Sequence, residues 1–216
     1  MKKKILFCSG GTGGHIFPSI SLINFLKKKE YEIILVTDKR GAKYLKKDFF
    51  LYKILNVGFP DRSGIINKIF YYLKLIPTFF NSFLFLMKEK PNFIFGFGGY
   101  VSFTVCLAAK LLNIRILLYE SNIILGRVNK FFVPFCVRLF TNSNNILNLH
   151  KKYLYKSVEV GNILREEIIR HKLPVKNNPN SIKTIIILGG SQGAEIFGKI
   201  IPQTILDLNK NYRINI

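Results

Sequence analysis

Short, almost continuously apolar runs recur along the chain, separated by longer stretches with helical spacing. Residues 4–8 form the first run, and 32–37, 50–55, 92–95, 114–119 and 137–141 repeat it, the third most weakly. Between the first two, residues 15–29 place Ile16, Ile20, Ile23, Phe25 and Leu26 at roughly helical intervals. A strand that is apolar throughout is buried on both faces, which is the pattern of a parallel sheet covered by helices on each side. The predicted class is α/β with a Rossmann-like parallel sheet, and ligands of such sheets bind beyond the carboxyl ends of the strands.

The alternation is interrupted by a polar, proline-bearing stretch, Leu173-Pro174-Val175-Lys176-Asn177-Asn178-Pro179-Asn180-Ser181. Beyond it the opening is restated: an apolar strand at 184–188, a glycine turn, and a helix to about residue 208. The expected organisation is an α/β domain over residues 1–172, a linker over 173–181, and the first βα unit of a second domain over 182–216. One βα unit cannot bury both faces of a sheet, so the second domain is expected to be incomplete.

Three glycine-rich turns follow strands: Gly10-Gly11-Thr12-Gly13-Gly14-His15, Gly96-Phe97-Gly98-Gly99-Tyr100 and Gly189-Gly190-Ser191-Gln192-Gly193-Ala194. Glycine lets a backbone approach a phosphate closely, and the helix that follows offers unpaired N–H groups and partial positive charge. One such turn is ordinary tight-turn chemistry; three at successive strand ends point to an anionic ligand. None has GxGxxG or GxxxxGK[ST] spacing, which argues against a dinucleotide or ATP loop.

Residues 65–89 are the most unusual stretch. The apolar run 75–87 is too short to span a bilayer and is interrupted by Pro77, Asn81 and Ser82. On a helix, Asn67, Lys74, Thr78, Asn81 and Lys88 form a narrow polar stripe, leaving an apolar arc wider than one core-facing side needs. One reading is a helix buried between the sheet and its neighbours, or a hairpin broken at Pro77. The other puts part of the arc on lipid, with Lys68, Lys74, Lys88 and Lys90 near anionic headgroups.

The chain has 216 residues, 49% of them hydrophobic, enough for a packed core and against extended disorder. Its net charge of +21 favours an anionic partner. Lysine outnumbers arginine 25 to 8 and Trp is absent. That bias, like the abundance of Ile, Asn and Phe, also fits A/T-rich codons. No basic-aromatic module appears, so nucleic acid is not an expected partner. Cys8, Cys106 and Cys136 lie scattered in apolar runs, which reads as core packing rather than a disulfide framework or a zinc site. The basic start, Met1 to Lys4, is followed by too few apolar residues for a signal peptide, so the expected compartment is the cytoplasm.

The run Gly10-Gly11-Thr12-Gly13-Gly14-His15-Ile16-Phe17-Pro18 closely resembles the opening of the MurG family, N-acetylglucosaminyltransferases that make lipid II. So do Gly96-Phe97-Gly98-Gly99-Tyr100-Val101-Ser102, Glu120 with Asn122, Gly126 with Asn129, Gly161-Asn162 with Arg165, and residues 189–194. Order and spacing agree from Lys4 to about Leu208. The resemblance implies a two-domain GT-B fold with its site in the cleft. It implies transfer of N-acetylglucosamine, with inversion, from its UDP donor to the 4-hydroxyl of the muramyl sugar of lipid I. It implies no metal and no other cofactor, since helix ends and side chains hold the diphosphate. The implied partners are UDP-N-acetylglucosamine, lipid I and an anionic membrane surface, met as a peripheral protein at the cytoplasmic face of the cell membrane. The implied setting is peptidoglycan synthesis, with its ties to cell shape and division.

Carried over by motif, Thr12, Gly13 and Gly14 fall where the family meets the donor, and Asn122, Arg165 and Ser191 fall on further donor contacts. Gly98, Gly99 and Tyr100 fall on an acceptor or phosphate loop. His15, beside the first turn, is the candidate general base for the acceptor hydroxyl; its rival role is to orient a phosphate or a backbone turn. Arg165 suits a phosphate or sugar oxygen, and read alone is a surface arginine beside Glu166 and Glu167. Glu120 is either a structural acceptor or a catalytic group. The chain departs from the family at Tyr119-Glu120-Ser121-Asn122, usually His-Glu-Gln-Asn. It departs again at Phe103-Thr104-Val105, usually with Gly-Pro, and at Asn162-Ile163, usually Asn-Pro. The family's remaining donor-side residues are absent. Four expectations follow: an enzyme or its N-terminal portion; a non-catalytic remnant that binds membrane or lipid I; one half of a split enzyme completed by a second polypeptide; or another nucleotide-sugar enzyme such as an epimerase. The last does not predict the Gly161-Asn162…Arg165 segment.

Overall fold

A computed structural model describes residues 2–11, 13–45, 52–55, 65–170, 187, 189 and 195–211, with backbone alone at 65–72, 74 and 211. The chain divides into two compact units, Met1–His171 and Lys172–Ile216.

The first unit alternates strands and helices: β1 (Lys3–Cys8), α1 (Gly13–Lys27), β2 (Tyr31–Thr37), α2 (Lys39–Ala42), β3 (Tyr52–Ile54), α3 (Ile65–Glu89), β4 (Phe93–Gly96), α4 (Gly99–Leu111), β5 (Arg115–Glu120), α5 (Arg127–Phe132), β6 (Arg138–Thr141), β7 (Ser157–Glu159) and α6 (Glu166–Arg170). Among the described residues the strands form one parallel sheet in the order β3-β2-β1-β4-β5-β6-β7. The expected α/β class and parallel sheet are therefore observed. Alternate residues of each strand face opposite sides. Leu6, Cys8, Ile34, Val36, Ile94, Ile116, Leu118 and Leu139 pack beneath α3, α4 and α5. Ile5, Phe7, Ile33, Leu35, Phe95 and Tyr119 pack beneath Ile16 and Ile23 of α1. All three cysteines are buried and free, and the Cys8 and Cys106 sulfurs lie 4.0 Å apart.

Strand β7 has no apolar run, which is why periodicity missed it. It is recruited as an edge by pairing with β6, and Val160 N–H donates to the Thr141 carbonyl just beyond. The observed part of the weak third strand is Tyr52–Ile54.

Helix α3 runs unbroken through Pro77, so the hairpin alternative is set aside. Its inner face is small and polar: Thr78 and Ser82 are buried with Leu86, and Ser82 Oγ donates to the Thr78 carbonyl at 2.8 Å. Satisfying that hydroxyl within the helix lets α3 pack against α4 without a stranded donor. Thr78 thus belongs to the packed side, not to an exposed polar stripe. The outer face is apolar, with Leu73, Ile76, Phe80, Leu84 and Met87 exposed at helical spacing. Among the described residues no helix is long and apolar enough to cross a membrane.

In the second unit the described helix is α7 (Glu195–Asn211), whose Ile196, Phe197, Ile200, Leu206 and Leu208 are exposed. The linker at 173–181 and residues 184–186 and 188 of the expected strand lie outside the described residues.

Candidate functional site

The chain crosses from β3 over β2 and β1 to lay β4 on the other side of β1. The loops leaving β1 and β4 therefore diverge, and a crevice opens between them at the carboxyl edge. Register fixes which residues meet there: Cys8 is level with Val36 on one side and Gly96 on the other. The first two glycine turns leave the sheet side by side. A Cβ on Gly10 would lie 2.6 Å from Val101 Cγ2 of α4, so this approach needs a bare backbone. Gly98 and Gly99 have φ of 84° and 76°, a region that side chains rarely adopt.

On the β2 side of the crevice sits Asp38, buried directly after the strand. Its Oδ1 accepts the Gly11 and Gly41 N–H groups at 2.9 and 2.7 Å, and its Oδ2 accepts Arg40 Nε and Nη2 at 3.2 and 3.0 Å. Burial pushes this carboxyl up, but the two N–H groups and Arg40 outweigh it and hold it below its ordinary value. Asp38 thus caps α2 and ties the first glycine turn to β2. Sequence reasoning passed over this pair. The available signal was an acidic residue at a strand end with glycine three positions on, a capping pattern.

On the β4 side stands His15, in the first turn of α1. A Cβ on Gly98 would lie 3.4 Å from His15 Cε1 and 3.6 Å from Asn129 Nδ2, so the imidazole faces the second glycine turn. Burial pushes the imidazole below its ordinary value, against the opposing pull of Glu120 and of a hydrogen bond to the Phe97 backbone. A neutral imidazole that donates one N–H to a carbonyl keeps its other nitrogen as an acceptor. Such a group can take a proton from a hydroxyl placed within reach.

Glu120, at the end of β5, is 2% exposed and fully engaged. Oε1 accepts Asn122 N and Nδ2 at 3.1 and 3.0 Å; Oε2 accepts Gly126 N and Asn129 Nδ2, both at 2.9 Å. Asn129 Nδ2 also donates to the Tyr119 carbonyl at 3.0 Å. This carboxylate pins the loop between β5 and α5, which is the structural reading of Glu120. Asn122 is exposed at the rim with its amide nitrogen turned back to Glu120.

The Tyr119 hydroxyl donates to the Gly161 carbonyl at 3.2 Å and accepts the Ile163 N–H at 3.1 Å. It thereby ties the segment after β7 to the sheet. Two residues on, the Arg165 guanidinium lies 4.6 Å from the centre of the Phe17 ring on α1. Gly13, Gly14, His15, Gly98, Gly99, Asn122 and Arg165 all belong to the first unit, and Tyr100 is exposed on α4. Thr12 and Ser191 lie outside the described residues. The bridge made by the Tyr119 hydroxyl left no mark in the sequence, because its partners are backbone atoms more than forty positions away.

The sequence pattern of the glycosyltransferase family 28 N-terminal domain matches residues 5–141. The chain belongs to glycosyltransferase family 28. The matched family span runs from β1 to the end of β6, so it takes in the crevice, Asp38, His15, Glu120 and Asn129, and stops short of Gly161 and Arg165. Curated relatives carry the name UDP-N-acetylglucosamine--N-acetylmuramyl-(pentapeptide) pyrophosphoryl-undecaprenol N-acetylglucosamine transferase. The one from Pelagibacter ubique is 36% identical across 100% of this chain and 60% of its own length. The one from Rickettsia canadensis is 37% identical across 94% of this chain and 56% of its own length. This family 28 chain therefore spans somewhat more than half the length of these relatives. The crystal structure of Acinetobacter baumannii MurG superposes with a TM-score of 0.65 at 21% identity, covering 94% of this chain and 55% of that one, a likeness of fold.

Proposed function

We propose that this chain is the acceptor-side part of an inverting glycosyltransferase that moves N-acetylglucosamine from its UDP donor to the 4-hydroxyl of lipid I, giving lipid II. The observation that carries the reading is His15, a partly buried imidazole held below its ordinary pKa and facing the second glycine turn at the crevice. In this reading His15 takes the proton of the acceptor hydroxyl as the sugar bond forms. Gly98, Gly99 and Tyr100 border the acceptor diphosphate. Thr12, Gly13, Gly14, Asn122, Arg165 and Ser191 meet the donor. Residues 182–216, after a linker at 173–181, begin the donor-binding domain, and the exposed apolar side chains of α7 are the surface its remainder covers. That remainder, in the same polypeptide or a second one, grips uracil, ribose and sugar.

The acceptor is lipid-linked, and α3 offers a way to reach it. Its outer apolar face, with Lys88 and Lys90 at one end, suits insertion among acyl chains beside anionic headgroups. The protein then works as a peripheral protein at the cytoplasmic face of the membrane.

The test is transfer of labelled N-acetylglucosamine to a short-chain lipid I analogue by the full translated product, with a chelator present. The expected product is the disaccharide with inverted linkage; absence of transfer sinks the proposal. His15→Ala is expected to slow turnover by roughly 10²-fold or more, the usual scale for a general base, with donor binding retained. An unchanged rate would end that role for His15.

A further inference from the structure

The Arg165 guanidinium rests on an aromatic ring rather than on a carboxylate. Its carbon is 4.6 Å from the centre of the Phe17 ring, within the range where the ring quadrupole attracts a cation. Glu166, the adjacent carboxylate, is instead paired with Arg170 four positions on. Arg165 is exposed, and among the described residues no hydrogen-bond acceptor takes its guanidinium N–H groups. A ring contact holds the cation without using those donors, so they stay open to a ligand.

The ring is itself fixed. Phe17 is half-buried on α1 and packs against the apolar cluster beneath that helix. Tyr44, in the turn after α2, meets it edge-on with ring centres 5.0 Å apart. The backbone that carries Arg165 is fixed separately. The Tyr119 hydroxyl bonds Gly161 and Ile163, and Ile163 packs against the same cluster as Phe17. What lies between these two anchors is the long arginine stem. Its rotamer freedom is a cost that a ligand must otherwise meet on binding, and a preformed contact removes part of it beforehand. Gly14, which the transfer reading also assigns to the UDP-sugar, is exposed one turn back on the same face of α1.

We propose that Phe17 is a positioning residue for Arg165: its ring, backed by Tyr44, holds the guanidinium where it meets the UDP-sugar. The inference rests on the transfer reading, which sets Arg165 among the residues that meet that substrate. Phe17 acts through Arg165 and is not itself a catalytic residue. It orders the arginine before the substrate arrives, so its effect falls on binding and not on the chemical step.

The experiment compares the full translated product with Phe17→Leu, which keeps apolar bulk but no ring face, and Phe17→Tyr, which keeps the face. Phe17→Leu should raise KM for UDP-N-acetylglucosamine roughly two- to fivefold, the scale of a cation–π contact at an exposed site, and leave kcat and KM for the lipid I analogue near their starting values. Phe17→Tyr should recover the lost affinity. Adding Phe17→Leu to Arg165→Ala should cost nothing beyond Arg165→Ala, because the two side chains act as one unit. In NMR spectra the Arg165 Nε–H should carry a ring-current shift that Phe17→Leu removes and Phe17→Tyr keeps. An unchanged KM in Phe17→Leu overturns the proposal. So does an equal loss in Phe17→Tyr, or a full further loss on top of Arg165→Ala, since either makes Phe17 a packing residue alone. An Nε–H resonance that stays in place in Phe17→Leu overturns it as well. Absence of transfer sinks the transfer reading by itself, and the ring-current shift, present or absent, then decides whether Phe17 holds Arg165.

Discussion

Replacing Glu120 by alanine separates a structural carboxylate from a catalytic one. Four donors converge on it at 2.9 to 3.1 Å. Each hydrogen bond to a charged acceptor is worth about 1.5–3 kcal/mol, but the four do not add, because one loop carries them all. When the loop opens, the Asn122 and Gly126 donors reach water. Asn129 is 1% exposed, and its Nδ2 keeps only the Tyr119 carbonyl. Counting two of the four at full cost gives a loss of about 3–6 kcal/mol. With a urea slope of roughly 2 kcal/mol/M, the midpoint should fall by about 2 M. Far-UV circular dichroism is the suitable probe, since the chain has no Trp. Glu120→Gln should fall in between, because its NH2 group faces either the Asn122 donors or those of Gly126 and Asn129. A loss below about 1 kcal/mol for Glu120→Ala would refute the loop-pinning argument, which rests on hydrogen bonds of the stated strength.

Three further outcomes are expected. His15 should titrate below 6.5 by NMR. Because the folded state disfavours its charged form, the group costs no stability above 6.5 and removes stability as pH falls below that value; a midpoint at or above 6.5 would remove the burial argument. Tyr119→Phe should cost about 1–2 kcal/mol and speed hydrogen exchange at the Ile163 amide; unchanged exchange there would show that the hydroxyl does not hold the segment. Anionic vesicles should sediment the chain at low salt and less at high salt, and Leu84→Glu on the outer face of α3 should weaken this; no sedimentation at any salt would end the docking idea.

Much of the candidate site was legible as composition at strand ends. Gly10 to Gly14 and Gly96 to Gly99 stood out because backbone approach and positive φ demand glycine, and that demand is written in residue type. His15 stood out by adjacency to the first turn. Asp38 and Arg40 did not, since an Asp-Lys-Arg-Gly run is an ordinary surface sequence until Gly11 is folded against it. The polar stripe of α3 proved divided: Thr78, grouped by spacing with Asn67, Lys74, Asn81 and Lys88, is buried on the inner helix face while Asn81 is exposed.

Periodicity and residue type thus carried the local decisions. An apolar run buried on both faces is a central parallel strand whatever surrounds it, and a glycine turn is required where two backbones must nearly touch. Pairing across distance was carried by packing alone. The order β3-β2-β1-β4-β5-β6-β7 sets the crevice between β1 and β4, and the register of Cys8 with Gly96 brings the two turns together. The partners that decide each polar group's state are also remote: Gly11 for Asp38, Gly98 for His15, Ile163 for Tyr119. A side chain's charge and reach depend on what shields and bonds it, and that environment is assembled from segments the linear order keeps apart.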